Sequence, residues 1–282
     1  ERLCSPMVTN VKNTPPINGD GAELLEELHT TLTKYVVFPN RHASTAVALW
    51  IAATHGINAW QHATRLAIGS PQKRCGKSRL LDMVNALCWQ PLLCANATTA
   101  AIYRSLGGDT PPTLIMDEVD AIFGTKAKAE QNEDLRALLN AGFGRNRPAL
   151  RCFGPHHEPT AFATFAMAAL AGIGRLPDTV TDRAVNVALQ RRARSEKVET
   201  FRERRDGPVL EKLKTRINEW ITGSIDTLTE AEPVMPVEDR EADAWEPLIA
   251  VADLAGGSWP KLARQACKAM TAQEAQTDAD DG

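Results

Sequence analysis

The chain of 282 residues has few cysteines and no long apolar run, and these two absences exclude whole classes of protein. Six cysteines are too sparse at this length for a disulfide scaffold, and no Cys-x-x-Cys or His-x-x-x-His pair indicates a zinc site. The uncharged stretches at residues 43–64, 83–103 and 159–174 are each interrupted by polar residues, Gly or Pro, so none provides the roughly 20 apolar residues of a membrane helix. We expect a protein without a transmembrane span, located in the reducing cytoplasm.

The sequence also lacks an excess of charge of either sign. It contains 32 Lys and Arg against 35 Asp and Glu, which gives a net charge of −3 and a pI near 6.1. This balance provides no global attraction to nucleic acid or to an anionic membrane, so any contact with DNA has to be local. Residues 183–205 are mainly basic and residues 226–253 mainly acidic, and both segments are most simply solvated faces.

The N-terminal part predicts a flexible tail followed by helices. Residues 1–20 contain several prolines and little apolar surface, which is typical of a disordered segment. The chain begins with Glu1 rather than Met and shows no basic-then-apolar leader, so we expect a processed or truncated N-terminus. Leucines at helical spacing from residue 24 and a second apolar segment at residues 44–55 predict a helical preface over residues 21–60.

Residues 61–192 alternate between short apolar runs and helical patterns. This βαβαβ order is typical of a parallel sheet, and we expect a three-layer α/β core with five strands. The predicted core strands lie at residues 64–68, 91–94, 113–116, 165–173 and 184–189, with further short strands near Leu150 and Phe162. The predicted helices of the core lie at residues 77–87, 98–106 and 132–143.

Beyond residue 192 the composition becomes helical. We expect a helical C-terminal region over residues 193–271, followed by an acidic tail over residues 272–282. The predicted helices lie at residues 196–205, 209–228, 242–254 and 259–270.

The most informative stretch is LAIGSPQKRCGKS, residues 66–78, which predicts a strand, a tight loop and a helix start. Such a turn directs backbone N–H groups and the positive end of the helix dipole at a phosphate. Gly76 permits close approach, Lys77 is predicted to reach the β and γ phosphates, and Ser78 to bind Mg²⁺. The residues predicted to bind the nucleotide are Ser70, Pro71, Gln72, Lys73, Arg74, Cys75, Gly76, Lys77, Ser78 and Arg79.

The match to the phosphate-loop pattern G-x-x-x-x-G-K-[ST] is imperfect, because Pro71 stands where the first glycine is expected. A second motif supplies the missing support: the apolar run at residues 113–116 ends in Asp117 and Glu118, about 40 residues later. In this arrangement Asp117 is predicted to hold Mg²⁺ and Glu118 to orient the attacking water. Asp120 is expected to be peripheral or exposed.

A carboxylate directly after the magnesium ligand is typical of hydrolytic ring ATPases of the AAA+ kind. Those enzymes also need groups that sense the γ-phosphate after the fourth strand, and Arg175 follows the predicted strand at residues 165–173. Arg183 is a candidate arginine finger acting on a neighbouring subunit. Each of the two arginines has a plainer interpretation, local capping for Arg175 and an ion pair within its own subunit for Arg183.

Three arginines between the acidic motif and the fourth strand are candidates for contact with single-stranded DNA. Arg145, Arg147 and Arg151 lie close to Phe143 and Phe153, at a place where ring helicases commonly insert a pore hairpin. They could follow a phosphate backbone while an aromatic ring stacks on a base. A solvated loop with buried phenylalanines explains the same residues equally well.

Across residues 24–270 the chain resembles a P-loop domain family of unknown function found in phage, prophage and genomic-island replication proteins, often beside primase modules. The resemblance rests on SPQKRCGKS (70–78), LIMDEVDAIF (114–123), HEPTAFATFAMAALAGIGRLPDTVTDR (157–183) and WEPLIAVADLAGGSWPKLARQA (245–266). The family shares the proline at position 71 and is similar to AAA+ and superfamily 3 helicases. The resemblance implies an ATP-driven, Mg²⁺-dependent homo-oligomer, in some cases a ring, acting on single-stranded or forked DNA, with a primase module as a further partner.

Two alternatives remain open from the sequence. A nucleotide-regulated DNA-binding or helicase-loading module would use the same motifs without unwinding DNA. A small-molecule kinase fits Gly-Lys-Ser but leaves Glu118 and the arginine-bearing C-terminal half without a role.

Overall fold

The computed structural model describes residues 20–95, 97–123, 132–153, 158–174 and 176–281. It is an α/β fold built on a five-stranded parallel sheet with helices on both faces. The strands are β1 (Arg65–Ser70), β2 (Pro91–Leu93), β3 (Thr113–Met116), β4 (Ala149–Phe153), β5 (Glu158–Phe162), β6 (Ala168–Ile173) and β7 (Ala184–Ala188). The parallel five-stranded core predicted from the sequence is confirmed.

The main sheet has the strand order β2-β3-β6-β1-β7, so β6 lies between β1 and β3. In the register of these strands Arg65 pairs with Ala168 and with Ala184, and Leu114 also pairs with Ala168. The central strands β1, β3 and β6 are buried almost throughout, as expected for a parallel sheet covered on both faces. The carboxyl ends of all five strands meet at one edge, and the sequence motifs follow β1 and β3 at that edge.

The helices divide between the two faces of the sheet. They are α1 (Asp20–Tyr35), α2 (Arg41–Thr54), α3 (Lys77–Leu87), α4 (Thr99–Ser105), α5 (Val119–Phe123), α6 (Glu133–Ala141), α7 (Asp178–Thr181), α8 (Glu203–Thr222), α9 (Ile225–Thr229), α10 (Asp239–Ala255) and α11 (Trp259–Asp281). One core joins Leu66 and Ile68 to α1, α2, α3, α8, α9, α10 and α11, and the other joins Ala67 and Leu170 to α4, α5, α6 and α7.

Helix α2 is buried along nearly its whole length, from Ala43 to Thr54. A helix that is apolar on all sides has to lie inside a core, and α2 packs against α1, α10 and α11. Trp50 Nε1 donates a hydrogen bond to the Thr64 carbonyl, 3.0 Å away, which ties the helix to the segment leading into β1. The predicted helical preface is therefore the centre of a helical layer that also includes the C-terminal helices.

Strands β4 and β5 form a separate antiparallel hairpin, with Arg151 opposite Thr160. The short strands predicted near Leu150 and Phe162 are thus confirmed as a pair. Leu150 is 66% exposed, so the outer side of the hairpin presents an apolar group to solvent.

The C-terminal region differs from the prediction in two places. The helix predicted at residues 196–205 is wrong: α8 begins at Glu203, and residues 189–202 before it have no regular secondary structure apart from one turn. The Glu196 carboxylate accepts a hydrogen bond from the Ala193 amide at 2.7 Å, and the Glu199 amide donates to the Lys34 carbonyl at 2.9 Å. The Glu199 amide is therefore bonded to α1 and not to a carbonyl of a local helix. Helix α11 continues to Asp281, beyond the predicted end at residue 270.

The predicted tail at residues 1–20 lies outside the described part of the chain except for Asp20, the first residue of α1. None of the helices described here is long and apolar enough to cross a membrane.

Candidate functional site

The loop after β1 ends in a left-handed turn that starts α3. Gly76 is the N-cap residue with φ of +90°, and Arg74 also has a positive φ, +66°. No side chain caps the helix, and the first helical hydrogen bond runs from the Leu80 amide to the Gly76 carbonyl at 2.9 Å. The amides of the first turn are therefore available to an anion, and the helix dipole adds to the attraction.

Lys77 lies across the mouth of this loop. Its ammonium group donates to the hydroxyl of Ser70 at 2.7 Å, and that hydroxyl donates to the Gln72 carbonyl at 2.8 Å. The charge is thereby held over the loop, and no acidic partner neutralises it within the described residues. Cys75 is only 6% exposed and belongs to the hydrophobic core, so it anchors the loop to that core.

The acidic motif lies at the same edge of the sheet. All four residues of β3 are buried, whereas Asp117 and Glu118 that follow it are exposed. The Glu118 amide donates to the Asp117 carboxylate at 2.8 Å, and Glu118 has φ of +55°. Because only β6 separates β1 from β3, the two motifs lie roughly 10 Å apart across the sheet. Non-glycine residues with positive φ cost energy and concentrate at functional sites.

Asp82 is a candidate site residue that the sequence analysis missed. It follows Ser78 by four residues on α3, so the two side chains share one face of the helix. Burial raises the pKa of Asp82, the nearby Asp117 raises it further, and the Arg79 guanidinium, 3.1 Å away, opposes both effects. The spacing from Ser78 was the available signal, but only the fold shows that Asp82 faces Asp117.

Ser78, Asp82 and Asp117 are the oxygen-bearing side chains at this edge that could serve as ligands of Mg²⁺. In the described residues no group of three or more His, Cys, Asp or Glu could hold a metal ion by protein ligands alone. Magnesium in phosphate sites is commonly held by one or two carboxylates together with substrate phosphates and water, and this donor set fits that pattern.

Asp120 connects the acidic motif to β6. Its carboxylate accepts a hydrogen bond from the Ile173 amide at 2.8 Å. A side chain at Gly172 would lie 3.2 Å from both the amide and the carboxylate of Asp120, so the glycine permits this close approach. Asp120 therefore holds the turn that carries Asp117 and Glu118 at a fixed place on the sheet.

A cavity of about 400 Å³ opens beside the loop, on the side of β7. Its walls come from the ends of β1 and β7, the start of α2 and the later turns of α11, and they are largely apolar. Polar groups enter from Asn40, Asn186 and Gln190, and Asn186 donates to the Glu274 carboxylate at 2.6 Å. Its volume and mixed lining are typical of a small-molecule site.

The three arginines proposed to contact DNA have different surroundings. Arg145 is half-buried: its guanidinium donates to the carbonyls of Trp60 and Ile57 at 2.7 and 2.6 Å and lies over the Phe165 ring. Arg147 is exposed. Arg151 lies on β4 of the hairpin and pairs with Asp134 at 3.0 Å. The structure thus associates Arg147 and Arg151 with the hairpin and its approach, and Arg145 with the core.

Arg183 lies at the opposite edge of the sheet from the candidate phosphate loop. It precedes β7, and its carbonyl accepts from the amide of Arg65, the first residue of β1. Ser70 lies five residues further along β1, a separation of about 17 Å at strand spacing. The Arg183 guanidinium donates to the Thr179 carbonyl at 2.6 Å and lies 5.9 Å from the Phe143 ring centre. Arg175 lies outside the described residues.

A family model and a curated relative each match about a third of the chain. The model of a protein family of unknown function (DUF3631) matches residues 188–281. Over 90 residues the chain is 48% identical to an "Uncharacterized 28.9 kDa protein in xis 5'region" from Saccharopolyspora erythraea. That alignment covers 32% of this chain and 34% of the relative, so the chain spans about a third of the length of the curated protein it matches. The family match includes Gln190 and Glu274, two residues of the cavity wall.

Proposed function

We propose that the protein is a P-loop ATPase that binds and hydrolyses Mg-ATP at the carboxyl edge of its parallel sheet. The observation that carries the proposal is the uncapped start of α3, with Lys77 across its loop, two strands away from Asp117 and Glu118. Ligands of open α/β sheets bind outside the carboxyl ends of the strands, which is where these groups lie.

In this proposal the α3 amides and Lys77 hold the β and γ phosphates, and Ser78 and Asp117, with Asp82 beside them, would hold Mg²⁺. Bound Mg²⁺ would neutralise charge on the β and γ oxygens. Glu118 positions a water molecule and accepts its proton as the bond from water oxygen to the γ phosphorus forms and the bond to the β–γ bridging oxygen breaks. Positioning and electrostatics account for most of the catalysis of phosphoryl transfer.

The cavity beside the loop supports a nucleotide rather than simple polyphosphate as the ligand. Ser70 and Pro71 line both the cavity and the start of the loop, so the base and phosphate positions would be continuous. The largely apolar lining suits the faces of a flat heterocycle, and the amides of Asn40 and Gln190 offer edge contacts.

Two single variants test the assignment. Lys77→Ala is expected to lose most nucleotide affinity, because the charge facing the phosphates is gone. Glu118→Gln is expected to keep binding while turnover falls by about 10² or more, because the proton acceptor is removed. Binding is measured by calorimetry with a nonhydrolysable ATP analogue, and turnover by phosphate release.

Lys212→Ala and Glu211→Gln, two exposed residues on α8, are matched controls that should leave both measurements unchanged. Turnover of Glu118→Gln at the parental rate would show that the catalytic assignment is wrong. Absence of saturable ATP binding by the parent protein would refute the proposed function as a whole.

We further propose that ATP hydrolysis drives movement of a homo-oligomer on DNA during replication of a phage or other mobile element. The β4–β5 hairpin lies in the chain between the acidic motif and β6, the position of the pore hairpin expected from the resemblance. The xis 5' region named in the relative's description supports the mobile-element setting.

The alternative is a nucleotide-regulated DNA-binding or loading module. If single-stranded DNA stimulates ATP turnover and turnover accompanies strand separation, the protein is a motor. If the protein binds DNA but shows neither stimulated turnover nor strand separation, the module is favoured.

A further inference from the structure

A basic segment runs beside the candidate phosphate loop. We name residues 190–200 the cationic strap. Just before it, the Leu189 amide donates to the Gly69 carbonyl at 2.8 Å, immediately ahead of the loop. Just after it, buried Phe201 lies 5.3 Å from the guanidinium of Arg79, in the first turn of α3. With one end fixed before the loop and the other after it, the strap spans the length of the loop.

The cations of the strap are exposed to solvent. Arg191, Arg192, Arg194 and Lys197 are all exposed, and none has an ion pair or a side-chain hydrogen bond in the part of the chain that the structure describes. The strap also contains two acidic residues, Glu196 and Glu199. Glu196 accepts from the Ala193 amide at 2.7 Å, which stabilises a local turn.

Glu199, the second acidic residue, pairs with Lys34 of α1 at 3.4 Å. Residues 190–200 thus contain four cationic and two acidic side chains, so the strap carries a net positive charge. Arginine guanidinium groups are well suited to phosphate because they donate several hydrogen bonds in one plane.

The strap meets the phosphate loop at the rim of the cavity. Gln190 and Pro71 both line the cavity, so the two chain segments come together there. Arg191 directly follows Gln190, while exposed Lys73 and Arg74 follow Pro71 by two and three residues. A nucleotide with its base in the cavity must pass its phosphates over this rim to reach α3. Clustered cations at such a place raise the local concentration of anions.

We propose that Arg191, Arg192 and Arg194 form a second phosphate-binding element, which holds the phosphates nearest the nucleoside. This inference rests on the proposed nucleotide-binding function. The three arginines lie in the part of the strap that directly follows β7, whereas Asp117 and Glu118 follow β3 on the other side of β1, so the arginines are separated from the groups assigned to the bond that is broken. Groups that contact non-reacting phosphates bind substrate and transition state equally, and therefore act on affinity rather than on the chemical step.

The test compares two triple variants that remove the same charge. The strap variant is Arg191→Gln, Arg192→Gln and Arg194→Gln, and the control carries glutamine at three exposed cations elsewhere, Arg204, Lys212 and Lys261. The strap variant is expected to bind ADP and a nonhydrolysable ATP analogue each about tenfold more weakly. Its KM for ATP rises while kcat holds, and its nucleotide affinity depends less on salt. The control variant should match the parent.

A rescue variant and three contrasting outcomes decide whether the strap binds phosphate. A variant with lysine at the three positions should recover part of the affinity, because the charge returns without the planar donors. If the strap variant binds ADP as tightly as the parent while Lys77→Ala remains defective, the phosphate-binding role of the strap is wrong. The ATPase proposal is then unaffected. Loss of affinity for a single-stranded oligonucleotide alone would identify a nucleic-acid surface and also contradict the phosphate-binding role of the strap. If the parent binds no nucleotide, both proposals fail.

Discussion

Buried His55 makes the stability of the protein depend on pH. The residue is 4% exposed, Nε2 lies 2.9 Å from the Leu87 carbonyl oxygen, and Nδ1 lies 3.3 Å from Oδ1 of Asn218. Burial lowers the pKa of His55 below its ordinary value of 6.5, and this effect outweighs the hydrogen bonds with Leu87 and Asn218, which raise the pKa. The unfolded chain therefore takes up a proton that the folded chain does not. The free energy of unfolding should fall as the pH drops below about 6.5, by at most roughly 1.4 kcal/mol per pH unit from this group.

Urea unfolding at pH 7.5 and 5.5 checks this prediction. His55→Gln should reduce the loss of stability between the two values, since glutamine does not titrate. Some dependence will remain, because burial also lowers the pKa of His29. An equal loss of stability in His55→Gln and the parent would assign the pH dependence to other groups.

At the scale of elements, arginines in and near the β4–β5 hairpin are expected to have two different roles, contact with DNA and support of the core. Arg147→Ala together with Arg151→Ala is expected to weaken binding of single-stranded DNA and to flatten its salt dependence, with little effect on folding. Arg145→Ala should instead lower the free energy of unfolding by about 1–3 kcal/mol, because the Trp60 and Ile57 carbonyls lose their charged donor. Fluorescence anisotropy at several salt concentrations and urea unfolding measure the two effects. An unchanged salt slope in the double variant would remove the hairpin from the DNA interface.

The sequence predicted elements best where local pattern decides them. The strand at residues 113–116 follows two prolines and is apolar throughout, and it appears as β3 (Thr113–Met116) with both carboxylates at its end. The helix predicted at residues 196–205 failed because helical composition there competes with distant contacts, such as that of Phe201 with Tyr35 on α1. Asp82 and the cavity were missed for the same reason. The spacing of Asp82 from Ser78 shows only that the two share a helix face, whereas its nearness to Asp117 and the walls of the cavity depend on chain segments brought together by the sheet order.

At the scale of the whole molecule, Arg183 tests whether neighbouring subunits share a site. Because Arg183 and Ser70 lie at opposite edges of one sheet, the guanidinium cannot reach the phosphate loop of its own subunit. A role in ATP hydrolysis therefore requires a second copy of the chain. An arginine that completes a site in this way stabilises transition-state charge and is worth about 10³ to 10⁵ in rate in GTPases.

Mixing two inactive variants decides the question. Arg183→Ala keeps an intact phosphate loop and Lys77→Ala keeps the arginine, so a mixed oligomer contains some interfaces with both groups. ATPase activity should reappear on mixing and peak at intermediate ratios, with mixed assembly confirmed by mass. Arg240→Ala is the control, since Arg240 pairs with the adjacent Asp182 at 3.0 Å and should stay active alone. If no activity returns at any ratio, Arg183 has a structural role only. Its hydrogen bond to the Thr179 carbonyl then stabilises the segment that leads into β7.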